Sequence, residues 1–231
     1  MSKVGEQVLV TLRKLIASGE LAAGARMAEI PTAERLNVSR QPVRMAFRAL
    51  AQEGLLEPSG ARGYRVRQVT TLQIVGAVEV RGVLEGLAAR QVAQNGLSVT
   101  LKKAFSDCLK LGDALFDKGY LTEPDLVSYQ DMNNRFHQLL LEASANPAIG
   151  NALSRNDHLP FASVRALTAD RENMAREYVR LKTAHAQHHQ VFEALLGGDA
   201  DVAERLMRDH ARATLAYIDI YDRSVSDLTE A

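Results

Sequence analysis

The stretch that decides the fold runs from residue 33 to residue 53 and reads AERLNVSRQPVRMAFRALAQE. A short helix is predicted to begin at Pro31, where proline suits the first turn, and to end at the turn formed by Asn37 and Val38. Ser39 is a good N-cap for a second helix over residues 40–53. The pattern therefore predicts two helices joined by a tight turn.

The second of these helices has one apolar face and one cationic face. Its apolar residues recur every three or four positions, as a packed face requires, and they are Val43, Phe47, Leu50 and Ala51. The polar side chains left to project elsewhere are Arg40, Gln41, Arg44 and Arg48. A short helix, a tight turn and a cationic second helix predict a helix-turn-helix.

The segments on either side complete a small domain. Helical spacing over residues 4–18 predicts a helix in front of the motif, and Gly19 and Gly24 end it. After Gly54, two short extended runs at residues 55–57 and 64–67 flank turn-forming residues 58–63, which is typical of a hairpin. Residues 1–70 are therefore predicted to form a winged helix-turn-helix.

From residue 71 the pattern stays helical nearly to the end. Helices are predicted over residues 72–94, from the cap Ser98 to Gly119, from Thr122 to about residue 146, over residues 170–196, and from Asp199 onward. Residues 149–167 are expected to be less regular. The fold class is therefore mainly α, with an all-helical C-terminal bundle of six or seven helices over residues 71–231.

Charge is distributed unevenly along this electrically neutral chain. Residues 1–70 hold 11 Lys and Arg against 6 Asp and Glu, or +5. The whole chain has 28 of each, so residues 71–231 hold 17 against 22, or −5. A basic head on an acidic body is expected if only the head contacts phosphate, although chance variation between two solvated surfaces gives the same counts.

Other features restrict the location and the chemistry. An apolar run long enough to span a membrane is missing, and the first residues lack the apolar core of a signal peptide, so we expect a cytoplasmic protein without a membrane partner. The single cysteine, Cys108, lies among apolar residues and is expected to be a small buried residue without a function.

Two sets of motifs resemble known families. Residues 33–44 and 50–57, with the ArgGlyTyr at 62–64, closely resemble the DNA-binding domain of GntR-family regulators. Residues 79–85 and 88–90, the PheHis at 136–137, and the segments around His188 and His210 resemble the FCD effector-binding domain of the FadR-type branch. A further likeness joins residues 159–163 and the segment 188–210 to vanillate-responsive repressors. The resemblance implies a homodimer on a short palindromic operator in double-stranded DNA, with a GT step on one arm and an AC step on the other.

The recognition helix supplies the candidate base contacts. Arg40 and Arg44, four apart on one face, are our candidates, because a guanidinium pairs bidentately with guanine O6 and N7 in the major groove. Ser39 and Gln41 lie at the helix N-terminus, where free amides favour phosphate. In the wing, Gly63 would let the backbone approach the minor groove, with Arg62 beside it.

Three histidines fall on the apolar faces of predicted body helices. They are His137, His188 and His210, and all three are expected to point inward. In FCD proteins this arrangement forms a metal site with an aspartate four residues before the first histidine, and here that position is Asn133. The resemblance therefore implies zinc or nickel held by Asn133 and the three histidines. The alternative is that the histidines bind a carboxylate effector directly.

The remaining polar residues of the body lead to weaker interpretations. Arg81 can contact an anionic effector, as the matching arginine does in FadR-type sensors, or form a structural ion pair with Glu85, four residues on. His185 and His189 are expected at the surface, because one helix cannot turn them to the same point as His188. The function expected is a DNA-binding repressor released by a small carboxylate effector, such as the aromatic acid vanillate.

One alternative comes from another class. A histidine-ligated metal hydrolase with an accessory nucleic-acid-binding domain would also explain both halves of the chain. No carboxylate accompanies the histidines at a spacing that suggests a general base for bound water, so we expect a protein that is not an enzyme.

Overall fold

A computed structural model describes residues 3–17, 20–52, 54–60, 63–67, 71–156 and 173–217. The chain divides into two compact units, and the boundary between Ile74 and Val75 falls in the first turn of the helix that begins at Thr71 and continues into the second unit. The predicted fold class, mainly α with an N-terminal winged helix-turn-helix and a C-terminal helical bundle, is confirmed.

The first unit contains three helices and a small sheet. Its elements in chain order are α1 (Lys3–Ala17), β1 (Arg26–Met27), α2 (Glu29–Arg35), α3 (Arg40–Gln52), β2 (Leu56–Ser59) and β3 (Gly63–Val66). The three strands are antiparallel in the order β1-β3-β2, so that Arg65 of β3 lies between Arg26 of β1 and Glu57 of β2. β2 and β3 form the wing.

The core of the first unit fixes α3. Val43, Phe47 and Leu50 of α3 are completely buried, and α1 packs against this face. Phe47 also contacts Tyr64 of β3 edge-on, with ring centroids 5.5 Å apart. The opposite face of α3 is therefore left exposed. The tight turn before α3 is made by Asn37, whose φ of 52° lies in the left-handed region that asparagine tolerates.

The second unit is helical throughout the residues described. Its elements are α4 (Thr71–Asn95), α5 (Val99–Phe116), α6 (Glu123–Ala143), α7 (Pro147–Asn156), α8 (Met174–Gly197), α9 (Ala200–Ala213) and a 3₁₀ turn (Thr214–Tyr217). The predicted cap Ser98 is present, since its side chain accepts a hydrogen bond from the backbone of Leu101 in the first turn of α5. The side chain of Asp199 accepts from the first turn of α9 in the same way, and the carboxylate of Asp125 accepts from the backbone N–H of Thr122 at the start of α6.

Aromatic side chains centre the core of this unit. The rings of Phe105 on α5 and Phe136 on α6 meet edge-on at 5.4 Å, and Phe192 on α8 stacks on Phe105 at 5.5 Å. α4 and α9 approach closely because α4 has no side chain at Gly82 and Gly86. A Cβ at Gly82 would lie 3.3 Å from the Cβ of Ala211, and one at Gly86 would lie 2.9 Å from Cγ of Arg208.

The structure differs from the predicted secondary structure in two elements. Part of the stretch expected to be irregular is the regular helix α7, whose apolar residues Ile149 and Leu153 are buried. Strand β1 was not predicted, because two residues are too short for a periodic pattern. Residues 157–172 lie outside the described residues, and they include residues 159–163, one of the two segments that resemble vanillate-responsive repressors. Among the described helices, none is both long and apolar enough to cross a membrane.

Candidate functional site

The candidate nucleic-acid interface lies on the exposed face of α3. Ser39, Arg40, Gln41 and Arg44 are all exposed. The predicted residues of the recognition helix therefore share an accessible surface. Gly63 begins β3, and a Cβ there would lie 2.9 Å from the backbone oxygen of Ser59, so glycine is needed for the hairpin to close. Arg62 lies outside the described residues.

A carboxylate of α2 organises this surface. Glu29 accepts hydrogen bonds from Nε and Nη2 of Arg44 over 2.8 and 2.9 Å, and Nη2 of Arg40 lies 3.5 Å from the same carboxylate. The hydrogen bond from Arg44 is the main cause that lowers the pKa of Glu29, although partial burial opposes it. Glu29 therefore stays ionised and pairs with both candidate base-reading arginines. Glu29 lies before the predicted start of α2 at Pro31, so the sequence pattern does not indicate its role.

The second candidate site is a set of three buried histidines, which we call the inner cluster: His137 on α6, His188 on α8 and His210 on α9. Their ligand nitrogens all lie within 4.8 Å of one another. Nε2 of His188 is 3.1 Å from Nε2 of His210. The helices α6, α8 and α9 thus bring the three predicted imidazoles together.

The inner cluster is held in orientation by neighbouring polar groups. Nδ1 of His210 donates to Oε1 of Gln187 over 3.0 Å, which leaves the lone pair of the histidine on Nε2, toward the cluster. Nδ1 of His137 lies 2.9 Å from Oε1 of Glu85, and the other oxygen of Glu85 accepts a hydrogen bond from Nε of Arg81 over 3.0 Å. The cluster therefore rests on a buried chain of charged groups that starts at α4.

Burial sets the protonation of these groups. It is the main cause that lowers the pKa of His188 and of His210 well below 6.5, and the nearby imidazoles and Arg81 act in the same direction. Burial alone would raise the pKa of Glu85, but Arg81 and His137 outweigh it and lower that pKa to about 2. His188 and His210 are therefore neutral at pH 7, which is the form that binds metal, and Glu85 is ionised.

The donor set fits a transition metal ion. Nε2 of His137 and Nδ1 of His188 are buried and have no hydrogen-bond partner among the described residues, so nitrogen lone pairs remain unused in the interior. Asn133 is buried one turn before His137 on α6. Buried imidazoles are ligands that zinc and nickel accept.

Arg81 forms the structural ion pair with Glu85 that was one of the two roles predicted for it. It is buried, and its ion pair with Glu85 is equally buried. The spacing of four residues predicts this pair, but it does not predict the contact between Glu85 and His137, because α4 and α6 are far apart in the chain.

A second histidine group corrects one expectation. Asp113 on α5, together with His185 and His189 on α8, forms what we call the outer cluster, whose ligand atoms also lie within 4.8 Å of one another. His185, expected at the surface, is buried, whereas His189 is 42% exposed.

Cys108 is buried as expected, and burial raises the pKa of its thiol to about 11, so it is not a reactive nucleophile.

Comparison with known proteins finds a matching family for each of the two units. Residues 5–66 match the family described as bacterial regulatory proteins, gntR family, and residues 77–213 match the FCD domain. The chain is 32% identical to the probable D-xylose utilization operon transcriptional repressor of Paenarthrobacter nicotinovorans, over 92% of this chain and 87% of that protein. It is 30% identical to the HTH-type transcriptional repressor RspR of Escherichia coli, over 90% and 85%.

Solved structures show the same fold. Escherichia coli McbR/YncC superposes with a TM-score of 0.66 at 20% identity, covering 96% of this chain and 99% of that chain. The matched families and these relatives are transcriptional regulators rather than enzymes, so the hydrolase alternative has no support. The chain belongs to the GntR family of bacterial transcriptional regulators and carries the FCD domain of its FadR-type branch.

Proposed function

We propose that the chain is a repressor that binds a palindromic operator as a homodimer and is released by a small carboxylate effector bound at the inner cluster. One observation carries the proposal: three buried histidines converge in the second unit, and His137 and His188 have ring nitrogens without a hydrogen-bond partner among the described residues. Such a polar cluster is costly to bury unless a ligand occupies it. A ligand at this cluster would give the second unit a sensing role, beside the DNA-binding role of the first unit.

Recognition of the operator is assigned to α3. Arg40 and Arg44 would read guanine in the GT arm of each half-site, and Ser39 and Gln41 would contact phosphate at the start of the helix. Arg62 and Gly63 of the wing would contact the adjacent minor groove of the operator. A single winged domain reads few base pairs, so a selective protein of this type needs two domains in register.

The dimer is supported by the surface of α4. Val80, Val83 and Leu87 are exposed, and their spacing of three and four residues places them in one stripe along the helix. An apolar stripe with this spacing is typical of a helix that packs against another helix. A second copy of the same chain is the partner that a palindromic operator requires.

Repression, rather than activation, is supported by the relatives. The two proteins at 32% and 30% identity are both named as repressors. In a repressor, the effector must favour a state of the protein that binds the operator less tightly.

Zinc or nickel is the cofactor that suits the inner cluster. His137, His188 and His210 would bind it through nitrogen, and the amide oxygen of Asn133 would complete the protein ligands. Because Asn133 adds no negative charge, the metal would keep its full positive charge and attract an anion. The metal supplies an electrophilic position where the carboxylate of an effector can bind.

The effector is therefore expected to be a small carboxylic acid, and aromatic acids such as vanillate belong to the class to be tested. Arg81 lies beyond Glu85, 3.0 Å from its carboxylate, and would add positive potential on this side of the inner cluster. Glu85 itself is already paired with Arg81, so an incoming anion would not meet an unpaired negative charge there.

The test begins with an operator selected by the purified protein from random duplexes. Binding is then measured by fluorescence anisotropy with zinc, with and without a panel of carboxylic acids that includes vanillate. We expect one acid to weaken operator binding at least tenfold in the wild type and to have little effect on the His137→Gln variant. Gln138→Ala, at the exposed neighbouring position, should respond like the wild type.

Three outcomes decide the proposal. Loss of the response in His137→Gln, with operator affinity retained, supports it. A metal-free protein that responds as well as the zinc-loaded one would mean that the histidines contact the effector directly. A His137→Gln variant with a full response would place the effector elsewhere and contradict the proposal.

A further inference from the structure

The outer cluster has the geometry of a ligand set rather than of a chance surface contact. One oxygen, Oδ1 of Asp113, lies 2.9 Å from Nε2 of His185 and 2.8 Å from Nε2 of His189. Both imidazoles thus present the same nitrogen to the same carboxylate oxygen. A single cation beside that oxygen could be reached by all three side chains.

Local structure explains why these groups meet. His185 and His189 are one turn apart on α8, so their rings project from the same side of the helix toward α5, which packs against it. The ring of His185 stacks on Phe116, with centroids 5.6 Å apart. It also occupies the space that a side chain at Gly112 would take, since a Cβ there would lie 2.2 Å from Cε1 of His185.

One ligand is therefore fixed and two remain accessible. The side chain of His185 is 5% exposed, whereas Asp113 and His189 are 49% and 42% exposed. A metal site with three protein ligands and an open side retains water or an exogenous ligand in its remaining positions. Pairs of histidines four apart on one helix face are a recurrent zinc-binding arrangement.

We propose that Asp113, His185 and His189 bind a second divalent transition metal ion, for which zinc is the probe, at a solvent-open site separate from the inner cluster. The two groups are neighbours on α8, with the ring centroids of His185 and His188 6.2 Å apart, but they have different partners. The outer cluster is completed by Asp113 of α5, and the inner cluster by histidines of α6 and α9. The outer cluster also contains the carboxylate that the inner cluster lacks. It would therefore bind zinc without help from the effector or from the inner cluster.

The simpler interpretation is that Asp113 only accepts hydrogen bonds from two protonated Nε2 atoms. That arrangement would hold no metal, and it predicts one zinc equivalent per chain at most, bound by the inner cluster. The proposal predicts two. The number of bound ions, and the residues that remove each one, therefore distinguish the interpretations.

The experiment titrates metal-free, full-length protein with zinc chloride by calorimetry and checks the stoichiometry by elemental analysis after gel filtration. We expect two equivalents for the wild type and one for His189→Ala and for Asp113→Asn. His137→Gln should lose the other equivalent. Asp107→Asn is the matched control, because Asp107 is a carboxylate of α5 with 52% exposure and a lysine partner in place of histidines.

The same titration also shows whether the variants fold. If the helical bundle of His189→Ala and of Asp113→Asn is intact, each variant still binds the zinc ion of the inner cluster. Cobalt absorption spectra provide a second readout: the bands of the outer ion should disappear in His189→Ala and persist in His137→Gln. Equal zinc uptake by the wild type, His189→Ala and Asp113→Asn would overturn the proposal. If the wild type binds a single ion, its loss in His137→Gln would also overturn the proposal, whereas its loss in His189→Ala would support the outer site and contradict metal binding at the inner cluster.

Discussion

The carboxylate of Glu29 on α2 holds the guanidinium of Arg44 on α3 by two hydrogen bonds of 2.8 and 2.9 Å. A guanidinium uses the same fork of donors to bind O6 and N7 of guanine. Glu29 therefore holds Arg44 in one orientation, and under the proposed function it would release at least part of that fork when Arg44 reads a base.

Glu29→Gln is expected to raise the affinity for random duplex DNA by about three- to tenfold, because it removes a negative charge from the DNA-facing surface. The preference for operator over random duplex should fall at the same time, since Arg44 loses its orientation. Anisotropy titrations on both duplexes at one salt concentration measure this. An unchanged preference would mean that Glu29 does not position Arg44.

Arg44→Ala should lower operator affinity by about ten- to a hundredfold and abolish the preference for the GT step. Arg48→Ala, at an exposed position on the same helix, should instead weaken operator and random duplex equally, as a phosphate contact does. The comparison uses operators with single substitutions at the GT step. Intact selectivity in Arg44→Ala would contradict the assignment of α3 as the reader of that step.

Asn133→Asp should tighten zinc binding at the inner cluster by about tenfold, because it adds a negative charge at a position one turn from His137. The metal-free variant should melt at a lower temperature than the wild type, since an unpaired charge is then buried. Calorimetry and thermal melts measure both. Asn134→Asp, which adds the same charge at the next residue, should leave the zinc affinity unchanged.

Metal-free protein should lose stability as the pH falls below about 6.5. His188 and His210 have pKa values well below 6.5 in the folded state, mainly because they are buried, whereas in the unfolded chain they titrate near that value. The unfolded state therefore binds more protons in this window, which costs about 1.4 kcal/mol per pH unit for each histidine. His185, whose pKa burial also lowers, adds to the slope.

Urea unfolding with a chelator at pH 7.5, 6.5 and 5.5 measures that slope. The unfolding free energy should change little between pH 7.5 and 6.5 and should fall steeply between pH 6.5 and 5.5. His210→Gln should make that fall smaller. A slope that is the same in both intervals would show that these imidazoles are not held neutral.

Val83→Glu should separate the homodimer, because it places a charge in the exposed apolar stripe of α4. Sedimentation at micromolar concentration should give twice 25.3 kDa for the wild type and 25.3 kDa for the variant. Val127→Glu, at a valine of α6 that is 63% exposed, is the control and should remain dimeric. A dimeric Val83→Glu variant would exclude this stripe as the interface.

The sequence predicted features whose cause is local. The helix-turn-helix was predictable because its turn, its cap and the spacing of Val43, Phe47 and Leu50 all lie within twenty residues of one another. The inward direction of His188 and His210 was predictable for the same reason, since each continues an apolar stripe of its own helix. The family resemblance then indicated that the three histidines converge.

Features that depend on contacts between distant segments could not be predicted. His185 was expected at the surface because the space it fills exists only where Gly112 of another helix has no side chain. The role of Glu85 beside His137 likewise depends on how α4 meets α6. Helix α7 was missed because Gly150 and the polar residues around it weaken the helical pattern, although Ile149 and Leu153 pack firmly in the core.

The inner cluster depends on Gly82 and Gly86, although neither glycine contributes an atom to it. They let α9 lie against α4, and α9 carries His210 toward Glu85 and the other imidazoles. A methyl group at Gly86 would have to push the Arg208 side chain aside, and one at Gly82 would press on Ala211, the neighbour of His210. Substitutions at these two glycines would thus change ligand affinity by displacing a whole helix, and a screen limited to ligand-contacting positions would overlook them.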